Sequence, residues 1–228
     1  KEVIGLAFIN QASVAWKKGE HEITVDLYEK ALPFLPNSTQ LKMLLGYNYL
    51  FCNRIKEGKA LLKEIENVTF DYAVYKETLP EDYLHGHVNA EGIEITFQHV
   101  DENRASILDK QEKLKKILKK YPKFRDGHLQ LAITFLQIGQ EKEGLKELAA
   151  YHELDSNNPT VEYYIAALSM NRFLYKEAWN HLKAAQAIVK ARNHHPDCLR
   201  SLYHQLRQLC PDPDEKVRWE KNTTAYLQ

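Results

Sequence analysis

Apolar residues along this chain recur at helical spacing, and the helical stretches repeat. Residues 14–37 read VAWKKGEHEITVDLYEKALPFLPN, and residues 133–158 read ITFLQIGQEKEGLKELAAYHELDSNN. Each stretch holds an apolar helix, a Gly-containing turn (Gly19, Gly139), a second apolar-periodic helix and a polar turn. Gly19 to Pro36 and Gly139 to Ser156 both span 17 residues. Pro36-Asn37-Ser38 and Asp155-Ser156-Asn157-Asn158-Pro159 read as signals that end one helix and cap the next.

These residues resemble the tetratricopeptide repeat, a helix–turn–helix unit of about 34 residues. A unit from Gly5 places Ala12, Thr24, Tyr28, Ala31 and Pro36 at its signature positions. One from Thr39 places Gly46, Gly58, Leu62 and Ile65 there. One from Arg125 gives Ala132, Gly144 and Leu148, and one from Pro159 gives Ala166, Ala178, Leu182 and Ala185. Thr24, Phe70 and Tyr151 depart from the pattern, as does Ser156 where Pro is usual. Small residues let two antiparallel helices approach closely, and the larger ones fill the adjacent space. A single hairpin cannot bury its apolar face alone, so such units stack.

The resemblance implies an all-α fold, a right-handed superhelical solenoid of helix–turn–helix repeats with an irregular insert near the middle. The expected order is repeats 5–38 and 39–72, an irregular 73–90, repeats 91–124, 125–158 and 159–192, and capping helices in 193–228, all in one domain. The insert is required because Pro122 sets a unit start near Glu91, whereas the phase from Thr39 expects one at Ala73. Pro80, Gly86 and Gly92 argue against one continuous helix in 73–92. A poor helix over 91–101, a Lys-rich one over 106–121, another over 196–209 and a last one over 214–227 complete the reading.

Composition narrows function by exclusion. Among 228 residues, 31 Lys and Arg balance 31 Asp and Glu, so no net charge recommends a nucleic-acid partner. The apolar share of 44% suits a globular chain, and no apolar run reaches membrane-spanning length. Three cysteines (Cys52, Cys198, Cys210) without regular spacing predict reduced thiols and a cytoplasmic setting, although a Cys198–Cys210 bridge would be open to an oxidising one. The sequons at Asn37, Asn67 and Asn222 carry little weight. A first residue other than Met suggests an excised segment.

The resemblance also implies a groove lined by the first helix of each repeat. Carried onto this sequence, it nominates Ile9, Trp16, Met43, Tyr47, Leu50, Phe51, Leu129, Ile133, Leu136, Tyr163 and Met170. That lining is apolar and aromatic, which suits an apolar or amphipathic segment of another protein. Ile9 and Ser13 stand where a carboxylate-clamping groove has Lys and Asn, so a chaperone adaptor for acidic tails is not expected. The expected function is therefore non-catalytic protein binding, as a scaffold, adaptor or chaperone-like module. The competing expectation is that the wall is already covered, by 73–92 or by packing between units.

Two rivals remain in view. Lys113, Lys115, Lys116, Lys119, Lys120, Lys123 and Arg125 would serve an RNA-binding repeat protein, but they read more simply as the wet side of an amphipathic helix. A structural subunit with a permanent oligomer interface is the other. His85, His87 and His99, and separately His194, His195, Cys198 and His204, lack zinc-motif spacing, so no metal is expected. No nucleophile motif, phosphate loop or dinucleotide fingerprint occurs, so neither catalysis nor a cofactor is expected.

Overall fold

The computed structural model describes residues 2–70, 74, 77–101 and 103–215. The helix expected over 214–227 falls outside them after Glu215. Among the described residues every regular element is helical, as the sequence pattern requires. They form two compact units, Lys1–Val68 with Glu77–Leu154, and Thr69–Lys76 with Asp155–Gln228.

The first unit contains α1 (Glu2–Lys17), α2 (His21–Ala31), a 3-10 turn at Leu32–Phe34, α3 (Thr39–Phe51) and α4 (Ile55–Ile65). It continues with α5 (Leu79–Leu84), α6 (Ala90–Phe97), α7 (Arg104–Lys120), α8 (Arg125–Gln137) and α9 (Glu141–Leu154). The second unit contains α10 (Thr160–Asn171), α11 (Tyr175–Ala191) and α12 (Asp197–Leu209). The pairs α1/α2, α3/α4, α8/α9 and α10/α11 pack as helical hairpins.

One turn closes all four hairpins. After α1 the Gly19 N–H donates to Trp16 and the Glu20 N–H to Ala15. Asn53 and Arg54 repeat this toward Leu50 and Tyr49, Gly139 and Gln140 toward Leu136 and Phe135, Phe173 and Leu174 toward Met170 and Ser169. These pairs of bonds satisfy the last free carbonyls of the first helix, and the residue between must be left-handed. Gly19 (φ 74°) and Gly139 (φ 75°) meet that demand without strain, whereas Asn53 (φ 59°) and Phe173 (φ 63°) meet it with a side chain attached.

Small residues set the hairpin crossings. A Cβ on Gly58 would stand 2.5 Å from Leu50 Cδ2 and 3.0 Å from the Gly46 carbonyl oxygen. In α8/α9 a Cβ on Gly144 would stand 2.9 Å from Leu136 Cδ2 and 3.3 Å from the Ala132 oxygen. Ala12, Thr24, Tyr28 and Ala31 are enclosed between α1 and α2, and Ala166, Ala178, Leu182 and Ala185 between α10 and α11. In the second unit Leu199, Leu202 and Leu206 of α12 join that last cluster, and Trp179 donates its Nε1–H to the Cys210 carbonyl (3.1 Å).

Two short helices broken at Gly86 (φ 73°) form the insert of the first unit, which reaches beyond the expected 73–90 because α6 lies where the first helix of the repeat 91–124 is expected. The helix expected over 91–101 stops at Phe97. Helix α5 packs on α4 and α8, while α6 packs on α3, α7 and α8. The Asn89 side chain caps α6 by accepting from the Gly92 N–H (3.0 Å). Lys110 Nζ donates to the carbonyls of Thr96 (2.9 Å) and Gln98 (3.2 Å), closing its C-terminal end.

Candidate functional site

Helix α6 carries the aromatic side chain around which the candidate site forms. The Phe97 ring lies 5.2 Å from Trp16 and 5.5 Å from Tyr47, centroid to centroid. Trp16 also meets Tyr28 (6.5 Å) and Phe51 (5.9 Å) edge-on. These separations suit aromatic pairs, which prefer tilted and edge-on contacts. The cluster thus joins α1, α2, α3 and α6.

His21 fastens the same region. Its ring bridges Asn48 Oδ1 (3.1 Å) and Glu94 Oε1 (2.9 Å), and lies 5.0 Å from the Phe51 ring. Asn48 is fully buried and spends its Nδ2 donor on the Leu44 carbonyl (2.9 Å), so the α3 side of the bridge is fixed. Beside this cluster opens a cleft of about 550 Å³. Trp16, Ile95 and Phe97 give it an apolar floor, and Lys17, His21, Glu91, Glu94, Gln98, His99 and Lys113 a rim of both charge signs. Phe97 keeps 39% of its surface exposed at this edge.

The nominated groove residues separate into two groups. Met43, Tyr47, Leu50 and Met170 are buried, Tyr47 completely. Tyr47 lies under Phe97, and Leu50 covers Gly58 inside its own hairpin. A charged residue at Tyr47 is therefore a core substitution, not a probe of partner contact. Ile9, Trp16, Phe51, Leu129, Ile133, Leu136 and Tyr163 are half-buried. The inner wall at Tyr47 is thus covered by the chain itself, through Phe97 at the end of α6. The sequence reading missed Phe97, Glu94 and Gln98, whose only signal was an aromatic residue ending a weak helix next to the phase break.

Three of the seven basic residues in the run from Lys113 to Arg125 pair with acids, while Lys116, Lys119, Lys120 and Lys123 are exposed. Lys113 pairs with Asp109 (2.6 Å) and Lys115 with Glu112 (2.8 Å), both on α7. Arg125 pairs with Asp82 (2.8 Å) and Glu81 (3.0 Å). Lys110 on the same helix is buried, and burial lowers its pKa. Among the described residues no three His, Cys, Asp or Glu side chains converge to hold a metal. All three cysteines are free. Burial, with Glu22 nearby, pushes the Cys52 thiol up to about 11, and burial raises Cys198 too, the opposite of an activated nucleophile. No helix among the described residues is long and apolar enough to cross a membrane.

The hairpins and their shared turn define the class: a helix–turn–helix repeat protein of tetratricopeptide-like build. No protein-family model matches the chain, and no curated protein matches it in sequence. Solved structures resemble it in chain path. A tetratricopeptide-repeat protein of Thermus thermophilus is 16% identical with a TM-score of 0.46, over 89% of this chain and 98% of that one. The TPR2AB domain of yeast Sti1, solved in complex with an HSP90 peptide, is 16% identical with a TM-score of 0.41, over 89% and 85%. A tetratricopeptide-repeat protein of Parabacteroides merdae is 11% identical with a TM-score of 0.43, over 87% and 69%. Likenesses this distant say nothing of partner or chemistry.

Proposed function

We propose that this chain is a non-catalytic protein-interaction module whose first unit takes an apolar side chain from an amphipathic partner segment into the cleft between Trp16 and Phe97. The observation that carries this reading is the cleft itself: an aromatic floor left partly open, ringed by Lys17, Lys113, Glu91 and Glu94. Such sites are concave and apolar, with a few polar groups that fix orientation. Because α6 is capped, tied by Lys110 and closely packed at Gly92, the partner binds beside it rather than beneath it. Burying one large apolar side chain contributes about 1.5–3 kcal/mol, and an aromatic contact adds about 0.5–1.5 kcal/mol. A single anchor thus supports weak capture, with the charged rim selecting partners by complementarity. Free cysteines suit a reduced, cytoplasmic setting.

The test is calorimetric titration with a panel of amphipathic helical peptides, each carrying one Phe, Trp or Leu on its apolar side. At least one should bind, and Trp16→Ala should weaken it about tenfold, which is ~1.4 kcal/mol. Lys113→Glu, on the exposed rim, should change which peptide charges are preferred while leaving the circular dichroism unchanged. Binding by no member of the panel, or binding indifferent to both substitutions, removes the reading.

A further inference from the structure

Helix α1 is apolar on both sides. Its inward side, with Gly5, Ala12 and Ala15 buried, packs through Phe8, Ile9 and Trp16 against the cluster around Tyr28 and Leu45. On the opposite side Val3 is 78% exposed and Val14 55%, with Leu6 (52%) beside them. A helix that is hydrophobic all round is normally a buried helix. The neighbouring α2 shows the ordinary arrangement, its exposed residues including Glu22, Asp26, Glu29 and Lys30.

The exposed row has a pattern of its own. Val3, Ala7, Asn10 and Val14 follow one another at intervals of four, three and four residues, all exposed. That spacing reads the same from either end of the helix, and no charge interrupts it. The charges stand at the ends, Glu2 at the start and Lys17 and Lys18 at the finish. A row of this kind is complementary to itself when one copy is turned end for end. Val3 then meets a second Val14, Ala7 meets a second Asn10, and Glu2 comes alongside the lysines of the other copy. Antiparallel helices also oppose their dipoles, whereas a parallel pair would align like charges and like dipole ends.

We propose that α1 pairs antiparallel with α1 of a second copy of this chain across a two-fold axis between Ala7 and Asn10. The contact is isologous, so it closes at two copies. A helix of 16 residues is about 24 Å long. Paired with one copy of itself, it buries less than the ~1,000 Å² expected of a stable assembly. The dimer is therefore weak and forms with rising concentration.

Sedimentation of the full chain reads this directly. The mass should rise from 26.6 kDa toward twice that value as concentration approaches the millimolar range. Val14→Glu, at an exposed position, should weaken the dimer at least about tenfold with unchanged circular dichroism. Orientation is read by oxidative crosslinking. In a chain whose three free cysteines are replaced by serine, Val3→Cys and Val14→Cys versions should crosslink when mixed, and neither should crosslink alone, because like positions sit about 16 Å apart along an antiparallel pair. A monomer at every concentration overturns the proposal. So does a dimer indifferent to Val14→Glu, or a Val3→Cys chain that crosslinks to itself.

Discussion

The α3/α4 hairpin and the α5–α6 insert lie side by side in the first unit and are held by different physics. In the hairpin, Gly46 and Gly58 bring two backbones close enough for a carbonyl to touch the facing helix. Its stability is packing, and its residues are neighbours in sequence. The insert is anchored by polar groups on distant elements. Fully buried Asp82 accepts from the Arg125 backbone N–H (3.0 Å) and from its Nε (2.9 Å). Burial, then the charges of Glu77 and Asp82, raise the pKa of the Asp126 carboxyl. Close packing specifies a hairpin from a local pattern, while an insert without that pattern needs buried charge to fix its place.

The widest separation between the two regions comes from removing that anchor. Asp82→Ala takes its fully buried partner from the Arg125 guanidinium, itself largely enclosed, and leaves the contact with Glu81 in place. Breaking a buried pair from one side costs about 3–5 kcal/mol, and chemical denaturation of the first unit should show a loss of that order. Hydrogen exchange should report the opening first at α5 and α6, with the α3/α4 amides still protected. A loss below ~1 kcal/mol would mean that the insert, like the hairpin, is held by packing.

A smaller effect sharpens the comparison from the other side. Gly58→Ala and Gly144→Ala are the same change at equivalent crossings. Both gain about 1 kcal/mol of helix propensity. At Gly58 the new Cβ meets a backbone carbonyl at 3.0 Å, which cannot yield without moving a helix. At Gly144 the tightest contacts are Cδ2 and Cγ of the Leu136 side chain, both at 2.9 Å, and the carbonyl is at 3.3 Å. Overpacking of the first kind costs about 1–3 kcal/mol, so Gly58→Ala should be net destabilising and Gly144→Ala close to neutral in thermal melts. Equal effects would show that the crossing distance is not set by these glycines.

The same division explains what was legible in the chain. The hairpin helices, the side-chain bonds of Ser38 and Asn158 at helix starts, and the small residues at the crossings follow from local pattern and appear in the fold. The turn at Phe173 was less visible, because its left-handed residue is not glycine. The phase break announced an insert, but not that α6 would turn its Phe97 onto Tyr47, a contact 50 positions apart in sequence. Positions carried over from the repeat pattern assume a regular next repeat. Here α5 takes the place against α4, and α6 rests on α3. Tyr47 consequently lies under Phe97, while Leu50 is buried within its own hairpin, and the open surface lies at Trp16 and Phe97. Nothing in the spacing of the first two repeats encodes that displacement.

The smallest expected effect tests whether hairpins, too, carry a polar fastening. In α8/α9, His128 Nδ1 lies 2.7 Å from Glu147 Oε2, and in α10/α11 His181 Nδ1 lies 2.7 Å from Glu162 Oε2. Both pairs are 19 residues apart, with the histidine on the first helix in one and on the second in the other. Burial lowers the His128 pKa, but Glu147 and the Pro122 carbonyl outweigh it, and the net shift is upward from the ordinary value of 6.5. A raised folded-state pKa means that the folded protein holds this proton more tightly than the unfolded chain. Its stabilisation is complete below the unfolded value and is lost as pH rises through the folded one. Between pH of about 6 and about 8, the wild type should therefore lose up to ~1 kcal/mol relative to Glu147→Gln, whose histidine has no carboxylate to gain. Parallel stability curves for the two proteins would leave the hairpins, unlike the insert, fastened by packing alone.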